Sequence, residues 1–192
     1  MGRNKYKILD ATTRLIGERG FGGVSVDEIL RASHVQKSNF YYHFRTKDEL
    51  VIAAMDDMMQ QVDSKVWQDI LQNKSLSPKE RLDKLVEYLM VQFEAQGGRV
   101  GDPFGNLVLE VNEQNPKVQE KLNDYFIRFA AYIENVIQEG IEEDEFRQSL
   151  IPREVAEAIL SQIQGAYILA RAYQDPQALR RNIEFLVNLI SS

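Results

Sequence analysis

The chain contains no cysteine and only two histidines among its 192 residues. Disulfides and thiolate metal sites are excluded, and nothing points to an oxidising compartment. Long apolar runs are missing as well, since none approaches the roughly 18 residues of a membrane span. The start, MGRNKYKILDATTRLIGERG, has no apolar export segment and lacks the Ser/Thr that myristoylation needs. The KDEL at Lys47–Leu50 is internal, where it cannot act as a terminal retention signal. These absences predict a cytoplasmic protein without a membrane partner. Catalytic signatures are also absent: there is no Gly-x-Ser-x-Gly, His-Glu-x-x-His, cysteine nucleophile or Rossmann fingerprint. Glycines gather after residue 96, but no Gly-Lys-Ser/Thr follows them to make a phosphate loop. The expectation is a non-enzyme with no cofactor and no metal.

Period-2 alternation flanked by turn residues is lacking too, so almost no strand is expected. Helical spacing is plentiful. Ile8, Ala11, Leu15 and Ile16 form one stripe, Leu82, Leu85, Leu89 and Phe93 another, and Leu122, Phe126, Phe129, Ile133 and Ile137 a third. Four of the five prolines stand where a helix takes its first residue, three of them after a good cap: Ser77-Pro78, Asn115-Pro116 and Asp175-Pro176. Capping boxes begin at Ser25, Thr46 and Ser77. Gly20, Gly97-Gly98 and Gly140 supply stops. The spacing predicts an all-α chain with helices near 4–19, 26–33, 37–44, 47–72, 78–96, 105–113, 116–139, 152–173 and 176–190.

The net charge of −6 hides an asymmetry. Residues 1–50 hold nine Lys/Arg against six Asp/Glu, or +3, which leaves −9 for residues 51–192. A basic first quarter on an acidic body suits contact of one part with a polyanion. That quarter includes two short helices parted by Ala32-Ser33-His34-Val35, the pattern of a helix-turn-helix. On the second of them Phe40 and Phe44, spaced i and i+4, make an inward seam. Lys37 with Tyr41, Ser38 with Tyr42, and Asn39 with His43 then form outward lines. Such a surface suits DNA: Tyr and Lys bond phosphates, and Gln36 or Asn39 can bond base edges. Helix starts at Ser25 and Thr46, the latter with Lys47, present N–H groups and positive dipole ends to phosphate.

Three stretches, ERGF, SVDEI and above all KSNFYYHFRTKDEL, resemble the DNA-binding module of the TetR/AcrR family of bacterial transcriptional regulators. The resemblance covers about residues 5–55. It departs from the family pattern at His34-Val35-Gln36, where Gly-Val-Ser is common, and at Ser38, where Gly is common. His34 is expected to adopt a positive φ, and Gln36 and Ser38 would face the major groove. The resemblance implies that Tyr41, Tyr42 and His43 touch backbone and bases, that Lys37 meets phosphate or guanine, and that Lys47 and Ser25 clamp phosphates.

Its further implications are a three-helix DNA-binding module over residues 1–50 and a larger bundle for effector binding and dimerisation over 51–192. The partners implied are double-stranded operator DNA, a second copy of the chain and a small effector. The family tendency is repression; activation, or an adaptor that has lost operator binding, are the alternatives. In similar proteins the last two helices pair with their mates in a four-helix dimer interface. Ile159, Ile163, Ala166, Ala170, Leu179, Ile183, Leu186 and Ile190 are the candidates here, unless these faces close the monomer's own bundle. The segment GGRVGDPFGNLVLEVNEQNP (97–116) resembles one in a branch of the family that senses small organic molecules. Phe104 and Asn106, with Tyr88, Phe93, Phe126, Phe129 and Tyr167, are pocket candidates for an apolar or aromatic effector, although aromatics at helical spacing are more often core. Trp67 has no evident partner, and Glu110 with Glu113 reads as a solvated pair on one helix face.

Overall fold

A computed structural model describes residues 2–98, 100–111 and 113–192; Arg99 and Asn112 of the 97–116 segment lie outside the described residues. The chain forms α1 (Arg3–Arg19), α2 (Val26–Ser33), α3 (Lys37–His43), α4 (Lys47–Val62), a π-helical segment (Asp63–Leu71), α5 (Pro78–Ala95), α6 (Pro103–Val108), α7 (Pro116–Glu142), α8 (Pro152–Tyr173) and α9 (Gln177–Ile190). Among the described residues there is no strand, only an isolated bridge between Phe146 and Ser191. None of these helices is long and apolar enough to cross a membrane.

Capping chemistry explains most boundaries. Ser25 and Ser77 each open a helix with a complete box, in which Glu28 and Glu80 reach back to the cap backbone. The third box is only half made. Thr46 Oγ1 accepts from Glu49 N at 3.1 Å, but the Glu49 carboxylate accepts from Arg45 N at 2.7 Å instead of Thr46. The helix placed at 105–113 begins at Pro103, because Asp102 accepts from Phe104 N and Gly105 N. This is the same cap-and-proline signal as Ser77-Pro78. Pro176 is the cap of α9 and not its first residue. The helix expected over 47–72 changes to i→i+5 bonding at its end, where Gln72 N reaches Trp67 O at 2.8 Å.

Gly140 is not a stop, and α7 continues through it to Glu142. A Cβ on Gly140 would stand 2.1 Å from Cδ2 of Phe146, a ring with no exposure. Glycine is there for the ring. Gly140→Ala gains up to about 1 kcal/mol of helix propensity but overpacks the ring. We expect a net loss of about 1–3 kcal/mol, seen as a lower denaturation midpoint at unchanged slope.

The chain divides into two compact units, Met1–Gln60 with Asp102–Asp124, and Gln61–Gly101 with Tyr125–Ser192. In the first, α1 packs on α2, α3 and α6. Its core gathers Ile8, Leu15, Ile29, Leu30, Phe40 and Phe44 among others, with Val26 partly buried against it. In the second, α9 packs against both α8 and α5, and α5 also meets the π-helical segment.

Candidate nucleic-acid interface

The short α3 is fixed from one side only. Phe40 and Phe44, 1% and 4% exposed, sit with ring centroids 5.7 Å apart in the core of the first unit. Tyr41 stands edge-on to Phe40 at 5.2 Å yet stays 56% exposed, and Tyr42, edge-on to His43 at 4.8 Å, is 83% exposed. Gln36, Lys37 and Ser38 are exposed, and Asn39 and His43 are half-buried. The turn before α3 needs a left-handed residue, and His34 supplies it with φ 54° and ψ 36°. This conformation costs any residue with a Cβ more than it costs glycine. Val35, buried, then anchors the turn.

The cations are already engaged. Lys37 Nζ lies 3.2 Å from Asp27 Oδ1, and both side chains are exposed. This hydrogen bond raises the Lys37 pKa, but an exposed pair of this kind is readily exchanged for phosphate. Lys47 bonds the Phe21 carbonyl oxygen and lies 4.2 Å over the Phe21 ring. Burial lowers its pKa, against the pull of Asp48, Glu110 and Glu28. At Ser25 the Glu28 carboxylate accepts from the backbone N–H at 2.8 Å and from the hydroxyl at 2.7 Å. These bonds lower the Glu28 pKa. The Ser25 and Thr46 helix starts therefore keep part of their donors for their own caps.

A groove of about 500 Å³ runs beside α3, lined by Asp27, Arg31, His34, Gln36 and Lys37 with Leu30 and Val35. Arg31 was not among the sequence candidates, although it is exposed on α2. Its sequence signal is a lone cation on a helix that spacing assigns to support. Arg45, exposed directly after Phe44 in the bend between α3 and α4, was not among them either.

The remaining candidates separate. Phe104 is buried and Asn106 half-buried, both on α6 in the first unit. Phe93 and Tyr167 meet edge-on at 5.6 Å in the second. Phe126 and Phe129 flank Tyr125 at 5.1 and 5.9 Å, and half-buried Tyr88 has its phenol pKa raised by burial. Trp67 acquires partners that spacing could not supply. It stacks on Tyr132 at 4.7 Å and carries Arg128 over its ring at 4.3 Å, while its buried Nε1 has no hydrogen bond among the described residues.

Most of the dimer candidates are buried within the single chain. Ile159, Ile163, Ala166, Ala170, Leu179, Ile183 and Ile190 are at most 3% exposed within the single chain, and Leu186 is half-buried. They close α8 on α9 inside their own bundle. The most apolar stripe of an amphipathic helix goes to its own core. The large apolar residues that these two helices leave outside are Ile168, Tyr173, Phe185 and Leu189, which are 60%, 64%, 67% and 52% exposed.

A three-helix module whose second short helix turns rings, amides and a lysine to solvent defines a helix-turn-helix DNA-binding protein. Comparison makes the class specific. Residues 8–54 match the model of bacterial regulatory proteins, tetR family, and residues 78–186 match that of the tetracyclin repressor-like C-terminal domain. The chain belongs to the TetR family of transcriptional regulators. It is 30% identical over 188 residues to an uncharacterised HTH-type regulator from the lacX 3′ region of Lactococcus lactis, covering 95% of this chain and 90% of that one. It is 26% identical to the HTH-type regulator LmrA of Bacillus subtilis, over 88% of this chain and 87% of that one. The crystal structure of regulatory protein TetR from Rhodobacter sphaeroides has a TM-score of 0.88 at 23% identity, covering 96% and 97% of the two chains. That of reduced NemR from E. coli has 0.85 at 20%, covering 97% of each. The likeness to these structures is one of fold. The relatives named are transcriptional regulators, which are not enzymes.

Proposed function

We propose that the protein is a cytoplasmic, dimeric repressor that binds a palindromic operator and is released by a small apolar or aromatic effector. Residues 1–50 carry operator binding and 51–192 carry the effector and dimer functions. The observation that carries this reading is the division of α3, with Phe40 and Phe44 buried and Tyr41, Tyr42, Lys37 and Ser38 turned outward. Seven residues at 1.5 Å each make α3 roughly 10 Å long, a length that fits the major groove. Ser25, Gln36, Asn39, His43, Thr46 and Lys47 complete the contact set. Repression is supported by a relative from a Mycobacterium species described as the transcriptional repressor DhaR, 23% identical over 91% of this chain.

Two half-sites require two copies. On α8, Ala158, Ser161, Ile168 and Ala172 are exposed at i+3 and i+4 steps, with half-buried Gly165 between them. Among the described residues nothing lies within 4 Å of where a Cβ on Gly165 would be. With Phe185 and Leu189 of α9 this uncharged stripe supports a helix-on-helix contact between copies. For the effector, the Phe93–Tyr167 pair, the Phe126 and Phe129 rings about Tyr125, and the Trp67 N–H, unpaired among the described residues, support an aromatic ligand with a hydrogen-bond acceptor.

The test is duplex affinity measured across salt concentrations. Operator binding gives log K falling linearly with log salt, and Lys47→Ala flattens that slope by about one unit. Salt-insensitive or absent duplex binding would remove the reading and favour a protein adaptor. A promoter fusion distinguishes repression from activation by the sign of the response to deletion of the gene.

A further inference from the structure

The peptide group between Phe21 and Gly22, in the turn joining α1 to α2, has a charge at each end. Lys47 Nζ sits on its carbonyl oxygen. The Glu110 carboxylate accepts from its N–H at 2.8 Å. Glu110 follows α6, far along the chain, and is exposed, as is Gly22. The fit is close. A Cβ on Gly20 would stand 1.8 Å from Glu110 Oε1, and one on Gly22 3.6 Å from Oε2. Gly20 has φ +78°, so the turn needs glycine there and leaves its bare face to the carboxylate.

The charges act in one direction. A carboxylate on the N–H end polarises the peptide and makes its oxygen a stronger acceptor for the ammonium at the other end. Glu110 also brings a negative charge to the margin of the surface that meets phosphate, where like charge opposes binding. We propose that Glu110 is an intramolecular restraint on operator binding: through the Phe21–Gly22 peptide it holds Lys47 back from DNA phosphate. The inference rests on the operator-binding reading above. It also gives α6, which carries Phe104 and Asn106, a route to the DNA surface. An effector that seats α6 against the turn tightens the hold on Lys47 and weakens operator binding.

Glu110→Gln keeps an acceptor for Gly22 N–H and removes the charge. Wild type, E110Q, K47A and the E110Q/K47A double variant are titrated with operator duplex over a salt series, with thermal melting to verify folding. E110Q is expected to bind roughly three- to tenfold tighter at low salt and to steepen the salt slope by the part of Lys47's single phosphate contact that Glu110 withholds in wild type, a fraction of about one unit. In the K47A background the same change leaves the slope where K47A alone puts it. Weaker or unchanged binding by E110Q overturns the restraint and makes Glu110 a structural clamp. A gain of the same size without Lys47 overturns the route through the peptide. If wild type shows no salt-sensitive duplex binding, the operator reading and this inference fall together.

Discussion

Phe185→Glu is expected to leave each chain folded and to abolish the dimer at micromolar concentration. Phe185 is 67% exposed on α9, so its replacement removes no core contact within the chain. In a two-fold interface the same residue enters from both copies. An aromatic anchor at the centre of such an interface carries about 2–4 kcal/mol, and the substitution loses that amount twice while placing two like charges together. Sedimentation or light scattering reads the mass directly. Operator affinity should fall by at least a hundredfold, since one module then reads one half-site. A variant that stays dimeric would move the interface off the α8–α9 surface.

The second large effect concerns the interior of the larger unit. Arg81 is 2% exposed; its Nε donates to Leu76 O at 3.1 Å and its NH1 to Glu139 Oε2 at 2.7 Å. Lys74 bonds the other oxygen of the same carboxylate. Removing Glu139 leaves a buried guanidinium with one carbonyl for company, whereas removing Arg81 leaves Glu139 paired with Lys74. Glu139→Ala is therefore expected to cost about 3–5 kcal/mol, and Arg81→Met, which keeps the volume and deletes the charge, much less. Equal losses in denaturant titrations would mean that packing, not the uncompensated charge, sets the cost.

The same pair predicts a pH dependence. Burial pushes the Glu139 carboxyl up, but hydrogen bonds and charges from Lys74 and Arg81 outweigh it and hold the group below its ordinary 4.5. A carboxyl depressed by folding stabilises the native state above its unfolded pKa and stops doing so as pH falls through the folded value. Wild type should therefore lose stability on acidification below about pH 4.5, and the Glu139→Ala variant should lose less over that range.

Much of α3 was legible because helix geometry is local. Once Phe40 and Phe44 share a face, Tyr41 and Tyr42 have nowhere to go but outward, and His34 has to turn the chain in the left-handed region. Helix starts were legible where cap and proline coincide, and α6 carries the same signal in Asp102-Pro103. Apolarity marks the dimer candidates in sequence, but the single chain already buries most of them. The strongest apolar positions of α8 and α9 are claimed by their own bundle. The uncharged residues that α8 and α9 leave exposed, small ones such as Ala158 and isolated ones such as Ile168, give a weak signal in sequence. Glu110, read as one of a solvated pair with Glu113, and Trp67, read as unpartnered, have roles set by residues remote in the chain.

By itself the sequence determined which segments are helical, which face of each turns inward, and which residues of α3 are left exposed. These follow from periodicity, capping and turn conformation within a few residues. Tertiary structure alone decided that Glu110 meets the Phe21–Gly22 peptide, that Arg81 shares a carboxylate with Lys74, that Gly140 makes room for Phe146, and that Trp67 meets Tyr132 and Arg128. Each of these joins groups distant along the chain, and periodicity carries no information about which distant faces will meet.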